Sequence, residues 1–176
     1  NLDVEHLSAV IGALSGPNEY LTYGRLLEES GQLMMPYVRK GIEEGAQVPA
    51  HRYLWALAEL NKLRLVIRRF FMDYDLLVLP STSVTAFPVD HRPEIVAGEK
   101  IEPMWGWYAT LFPFNLSGNP AASIPCGFTS DRLPVGLQIV GRHWDEALVL
   151  RASAAFEEAR PWADRRPPLG GIKAPV

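Results

Sequence analysis

The chain has 176 residues, the size of one ordinary domain, and 48% of them are hydrophobic, which is enough apolar material for a core. Its formal net charge of −3 provides no positive field for a phosphate backbone, which excludes nucleic acid as a partner on charge grounds. The single cysteine excludes an internal disulfide and a cysteine-based zinc cage. Neither a signal peptide nor an apolar run of about 18 residues is visible, so we expect a cytoplasmic protein with no membrane partner.

The first part of the chain predicts helices. Apolar residues over 3–14 indicate a short helix, which Gly16 and Pro17 are expected to end. A second helix is expected to begin at Asn18, because asparagine is a favoured N-cap, and a third short helix follows over residues 36–47. Apart from Gly170 and Gly171, the glycines stand singly, which is typical of turns.

The strongest local pattern covers residues 49–72, where apolar residues recur at helical spacing and predict a long amphipathic helix. Residues 75–80, DLLVLP, are a continuous apolar run closed by proline and indicate a buried strand. Residues 81–103 are rich in proline and polar side chains. They predict a long surface loop, a kind of segment that often carries function.

The rest of the chain alternates between helix and strand. An aromatic segment over residues 104–113 is expected to be helical until its proline, residues 121–127 and 134–141 to form two linked strands, and residues 146–159 to form a helix. Residues 166–176 are expected to form a loose tail. The pattern predicts one α/β domain with fewer strands than a complete sheet needs.

No local motif indicates a reaction. Cys126 lies on a predicted strand, where a cysteine is usually a small packed hydrophobic residue, and His143 is expected at a strand-to-helix turn, so we predict no catalytic residue. Metal-binding HExxH, the GxSxG nucleophile elbow and the glycine-rich nucleotide loops do not occur in the sequence. We therefore predict no metal and no cofactor.

Two segments resemble the C-terminal part of the amidase signature family, the serine hydrolases of amide bonds. They are residues 75–88 and 112–157, and the second contains the specific order N-L-S-G-x-P, G-F and L-P-x-G-L-Q-I-V-G. RPPL at 166–169 is similar to the family's usual ending. The resemblance implies a mixed sheet flanked by helices, of which this chain is only the C-terminal portion. The family includes the A subunits of glutamyl-tRNA(Gln) amidotransferase.

The resemblance implies hydrolysis of a carboxamide by a nucleophilic serine in a glycine- and serine-rich segment, aided by a bridging serine and a lysine. No such segment occurs in this sequence, so the chain alone is expected to be inactive. Three accounts are left open: a fragment of a longer product, one half of a split enzyme, and a non-catalytic remnant that acts as an assembly or binding module. The expected partners are a small-molecule amide in the complete enzyme, and either the missing N-terminal half or a second copy.

The resemblance implies that the residues ahead of Asn115 line the acyl side of the substrate site. In the amidotransferase A subunits an aspartate there contacts glutamine; here Tyr108 stands at that position and Leu111 replaces a small hydroxyl residue, which argues against glutamine. Trp107 and Tyr108 suggest an apolar or aromatic amide, with core filling as the alternative. Thr82, at the end of a predicted strand, is a further substrate-binding candidate, with loop capping as its alternative. Asn115 is expected to hydrogen-bond its own loop.

Overall fold

The computed structural model describes residues 4–101 and 106–165, which form helices around a small sheet. The helices are α1 (Val4–Ser30), α2 (Pro36–Gly45), α3 (Ala50–Asp73), α4 (Phe112–Ser117) and α5 (Glu146–Ala159), and 3-10 segments cover Gly31–Leu33 and Gly106–Leu111. The strands are β1 (Leu76–Pro80), β2 (Ile95–Val96), β3 (Glu99–Lys100), β4 (Ala121–Phe128) and β5 (Pro134–Gly141). The predicted long helix, the apolar strand, the linked strand pair and the final helix of the described chain are thereby confirmed. The predicted tail lies outside the described residues.

β5 is the central strand of a three-stranded antiparallel sheet with the order β1-β5-β4. Val78 of β1 lies opposite Ile139 of β5, which fixes the register of that pair. A β-bulge around Cys126 interrupts the pairing of β4 with β5. β2 and β3 form a separate two-residue pair inside the predicted loop, whose described residues 81–101 otherwise have little regular structure.

The core lies on both faces of the sheet, because successive residues of β5 point to opposite sides. α3 covers one face and α5 the other, while α1 packs against α3, α4 and the 3-10 segment that precedes α4. The buried clusters are Phe71–Phe114–Val140, Ile124–Ile139–Val149, Val10–Ala13–Ala56 and Leu7–Ala109–Phe112.

The predicted break at Gly16 and Pro17 is wrong, because α1 runs through Pro17 without interruption. A proline inside a helix removes one backbone hydrogen bond and costs about 3 kcal/mol. The helix nevertheless continues because it is held by packing on α2 and α3, with Val10 and Ala13 buried and Gly16 in contact with Gly45. Five glycines predicted at turns, including Gly16, lie in α1 and α2.

The expected helix end at Pro113 is also wrong. Pro113 lies in the first turn of α4, where a missing N–H costs nothing because first-turn donors lack intrahelical partners. The helix continues to Ser117 and ends at Gly118, whose φ of 79° is left-handed and whose N–H donates to the carbonyl oxygen of Phe114 at 2.8 Å. Asn115 therefore lies on a helix rather than in a loop.

Within residues 4–101 and 106–165, every helix is too short or too polar to cross a membrane.

Candidate functional site

Tyr108 marks a kink in the segment Gly106–Leu111, since its φ of −127° and ψ of 27° are not helical. Its ring meets the ring of Trp107 with 4.2 Å between centroids and the ring of Phe112 at 5.2 Å. Phe112 is 3% exposed and belongs to the core cluster under α1. The aromatic segment therefore extends from the core at Phe112 to the surface at Trp107 and Tyr108, which are half-buried.

Hydrogen bonds to backbone carbonyl oxygens hold this segment against the end of β1. The N–H of Ser83 donates to the carbonyl oxygen of Trp107 at 3.0 Å, and the hydroxyl of Thr110 donates to the carbonyl oxygen of Ser81 at 2.7 Å. From the central strand, Gln138 Nε2 donates to the carbonyl oxygen of Thr110 at 3.2 Å. Gln138 is 3% exposed, so this contact is shielded from water. The position of the aromatic segment is thus fixed by the sheet.

A pair of serine hydroxyls lies close to the end of β1, where the aromatic segment is held. Ser81 Oγ and Ser123 Oγ are 2.6 Å apart across β5, and Ser81 is buried. A Cβ on Gly136, which lies between them, would stand 2.7 Å from Ser81 Oγ and 3.0 Å from Ser123 Oγ. The pair therefore depends on a glycine in the middle strand. Sequence patterns did not indicate the pair, because it exists only once the three strands are in register.

A cavity of about 800 Å³ opens between α1, α2 and the aromatic segment. Four aromatic residues contribute to its lining: Tyr23, Tyr37, Trp107 and Tyr108. Glycines of both helices also line it, and they keep the backbones of α1 and α2 close together. The cavity thus joins the aromatic segment to helices that are distant in sequence.

Four charged residues stand at this cavity: Glu19, Lys40, Glu44 and Arg92. Lys40 Nζ lies 3.6 Å from Glu44 Oε1, one helical turn away on α2. Glu19, on α1, is half-buried, and its Oε2 lies 3.7 Å from where a Cβ on Gly41 would stand. Among the described residues Glu19 has no ion-pair partner, so its carboxylate faces the cavity region without a counter-charge in contact.

The predicted substrate-binding residues are only partly brought together. Trp107 and Tyr108 line the cavity, whereas Thr82 and Leu111 are not among its lining residues. The Thr82 hydroxyl donates to the carbonyl oxygen of Val84 at 2.7 Å, which is the loop-capping contact that stood as its alternative. Leu111 is half-buried at the start of α4. Sequence reasoning missed Glu19, Tyr23 and Tyr37, although glycines spaced four apart in both helices were a signal of close helix packing.

Asn119, not Asn115, ties the chain to the sheet. Asn115 is exposed, whereas Asn119 Nδ2 donates to the carbonyl oxygen of Gly141 at 2.7 Å and Asn119 Oδ1 accepts from Ser117 Oγ at 2.6 Å. The two contacts join the end of α4 to the end of β5. The expected role of Asn115 as the residue that holds this turn therefore belongs to Asn119.

Cys126 is half-buried at the β-bulge, with its sulfur 3.4 Å from the carbonyl oxygen of Val135. His143 lies in the turn between β5 and α5, as predicted. No group of three or more potential metal ligands clusters within the part of the chain that the structure describes.

Comparison with known proteins gives a consistent result. The family model described as Amidase matches residues 8–150. An acylamidase of Rhodococcus erythropolis is 46% identical over 100 residues, which are 56% of this chain and 21% of the relative. The A subunit of glutamyl-tRNA(Gln) amidotransferase of Oceanobacillus iheyensis is 40% identical over 120 residues, which are 64% of this chain and 23% of the relative.

Among solved structures, a bacterial aryl acylamidase of the amidase signature family superposes with a TM-score of 0.80 at 25% identity, over 94% of this chain and 37% of that chain. The chain spans about a fifth to a quarter of the length of the acylamidase and of the amidotransferase A subunit.

Proposed function

The chain belongs to the amidase signature family, and on this premise we propose that it is the C-terminal portion of an enzyme that hydrolyses the C–N bond of a carboxamide. In that reaction water adds across the amide, the C–N bond breaks, and a carboxylic acid and an amine are released. The nucleophilic serine, the bridging serine and the lysine that the resemblance implies would come from a segment outside these residues. This chain would supply a wall of the substrate site.

The observation that carries the proposal is the position of Tyr108. It stands in the segment that precedes Asn115, at a kink that the sheet holds in place, and it lines a cavity of about 800 Å³. A volume of this size suits a small organic molecule. The resemblance to the family implies substrate contacts in this segment. Here the side chains of the segment that line the cavity, Trp107 and Tyr108, are aromatic.

The substrate that we propose is an amide with an apolar or aromatic group. Trp107 and Tyr108 offer ring faces and edges, and an aromatic contact of this kind contributes about 0.5–1.5 kcal/mol beyond its buried area. An aspartate at the position of Tyr108 would instead suit the polar end of glutamine. The similarity to a solved aryl acylamidase agrees with the aromatic assignment.

A role as an amidotransferase A-type subunit is the second candidate, favoured by the 40% identity to such a subunit. Tyr108 and Leu111 weigh against it, because neither side chain can replace the carboxylate or the small hydroxyl that glutamine recognition implies. A non-catalytic assembly or binding module is the remaining alternative, and it requires that the native gene product lacks the serine-rich segment.

Steady-state kinetics of the native gene product with an N-aryl amide and with glutamine test the proposal. We expect the aryl amide to have a kcat/KM at least about tenfold higher, and Tyr108→Ala to lower it about tenfold, a loss of ~1.4 kcal/mol. Phe128→Ala is the matched control, because Phe128 is an exposed aromatic residue on β4 outside the cavity. Glutamine as the better substrate, or equal effects of the two substitutions, would contradict the proposed role of this wall.

A further inference from the structure

We propose that the cavity between α1 and α2 binds an organic ammonium group carried on an apolar or aromatic body, with Glu19 as its counter-charge. The proposal rests on the composition of the cavity lining, which combines four aromatic side chains with a half-buried carboxylate. Aromatic ring faces attract an alkylammonium ion, and a carboxylate can accept a charge-assisted hydrogen bond from it.

The aromatic part of the lining comes from three elements. Tyr23 belongs to α1, Tyr37 to α2, and Trp107 and Tyr108 to the 3-10 segment. The negative face of each ring attracts a cation within about 6 Å of the ring centroid, and the attraction grows when water is excluded. The rings also provide apolar area for the carbon skeleton that carries the ammonium group.

The carboxylate part is Glu19, because the other acid at the cavity is already engaged. Glu44 Oε1 lies 3.6 Å from Lys40 Nζ, whereas Glu19 contacts no cation among the described residues. Arg92 also lines the cavity and formally balances the charge of Glu19, so it would compete with a bound ammonium group. Removing Arg92 should therefore strengthen the binding of a cation, and removing Glu19 should weaken it.

The space for such a ligand is kept open by Gly12. A Cβ built on Gly12 would meet no atom within 4 Å, so packing does not require a glycine there, and glycine in a helix interior is less favourable than alanine. Gly12 lines the cavity on α1. A larger residue at this position would extend into the cavity, and its Cβ would clash with no neighbouring atom.

The identification of this ligand as the substrate rests on the proposed amide hydrolysis. An amide that carries a protonated amine on its apolar portion would then be preferred over its neutral analogue. The binding itself does not rest on the hydrolysis, since it concerns only residues of this chain. It is measured without turnover, so a failure of binding leaves the amidase proposal to its own kinetic test.

Isothermal titration calorimetry of the native gene product with 2-phenylethylammonium and with the neutral 2-phenylethanol tests the proposal at neutral pH and low salt. We expect the cation to bind about tenfold more tightly than the alcohol, the difference that a charge-assisted contact typically makes. Glu19→Gln should remove this difference, while Glu43→Gln should preserve it, because Glu43 lies on α2 outside the cavity and pairs with Arg39. Arg92→Gln should increase the preference for the cation.

Gly12→Leu separates binding from folding. We expect it to abolish the binding of both probes while the melting temperature stays at or above that of the unchanged chain. Absence of binding by either probe, equal binding of both, or a preference for the cation that survives Glu19→Gln would overturn the proposal.

Discussion

Gly16 and Gly45 bring the backbones of α1 and α2 into direct contact. A Cβ on Gly16 would lie 3.0 Å from the Cα of Gly45, and a Cβ on Gly45 would overlap the carbonyl group of Gly16. This crossing point fixes the distance between the two helices. Gly12 and Gly41 lie one turn away on the same helices and line the cavity, so the crossing also sets the width of the cavity.

Gly45→Ala should destabilise the fold, because its Cβ would enter the space of the Gly16 backbone. We expect a loss of at least about 1–3 kcal/mol in the free energy of unfolding, the usual cost of overpacking. Gly12→Ala is the matched substitution in open space and should raise stability by up to ~1 kcal/mol through helix propensity. Chemical denaturation of both variants measures the two effects. Equal effects of the two substitutions would show that the helices do not cross at this point.

Asn119→Ala should cost about 1–3 kcal/mol of unfolding free energy, because it leaves the carbonyl of Gly141 and the hydroxyl of the buried Ser117 without this partner. Asn115→Ala, at an exposed position of α4, should change stability by less than about 0.5 kcal/mol. Thermal unfolding followed by circular dichroism distinguishes the two. A larger loss of stability in Asn115→Ala than in Asn119→Ala would show that Asn115, and not Asn119, holds this turn.

Glu59 should make the free energy of unfolding decrease as the pH falls into the acid range. Its pKa is lowered from the ordinary value of 4.5, first by the hydrogen bond from Lys62 at 2.7 Å, against opposing desolvation, and then by the charge of Lys62 and by His6 at 3.1 Å. A carboxyl group with a lowered folded pKa contributes stability above its unfolded pKa, and this contribution is lost as the pH falls through the folded value. The hydrogen bond between His6 and Glu59 joins α1 to α3, so its loss loosens that pair of helices.

Melting temperatures measured between about pH 6 and pH 3 test this link. Glu59→Gln should flatten the acid decrease relative to the unchanged chain, whereas Glu28→Gln, at an exposed position on α1, should not. A decrease of the same size in all three proteins would rule out a contribution from Glu59.

Residues 1–176 in isolation should self-associate. β1 is an edge strand of the described sheet, with Val78 53% exposed, and the outer faces of α1 and α3 present Leu21 at 84% and Met72 at 77%. Unpaired strand edges and exposed apolar side chains favour association. Sedimentation velocity should show a mass that increases with concentration. A monomer at all concentrations that melts cooperatively would contradict the proposal that a further segment or a second copy covers these surfaces.

Much of the fold could be predicted from the sequence, because local patterns determine it. The apolar run DLLVLP, the helical spacing over residues 49–72 and the strand pair with its short turn all appear as expected. The errors arise where tertiary packing overrides a local signal. Pro17 does not end α1 because α2 and α3 hold both halves of the helix, and Pro113 begins a helix turn instead of ending one.

The candidate site was less predictable for the same reason. Trp107 and Tyr108 could be singled out by position in a family-like segment, and they do line a cavity. Glu19 and Tyr37 could not, because they reach the cavity only through the crossing of α1 and α2, which no local pattern in the sequence predicts. The Ser81–Ser123 pair likewise depends on strand register and not on any motif.

We propose that this chain forms a wall of an amide-hydrolysing site whose reactive serine lies outside it. The most direct measurement compares the hydrolysis of one N-aryl amide by the native gene product and by residues 1–176 alone, followed by release of the aromatic amine. We predict turnover by the native product and none by residues 1–176. Turnover by residues 1–176 that is lost on Cys126→Ala, or a native product without any amide hydrolysis, would contradict this proposal.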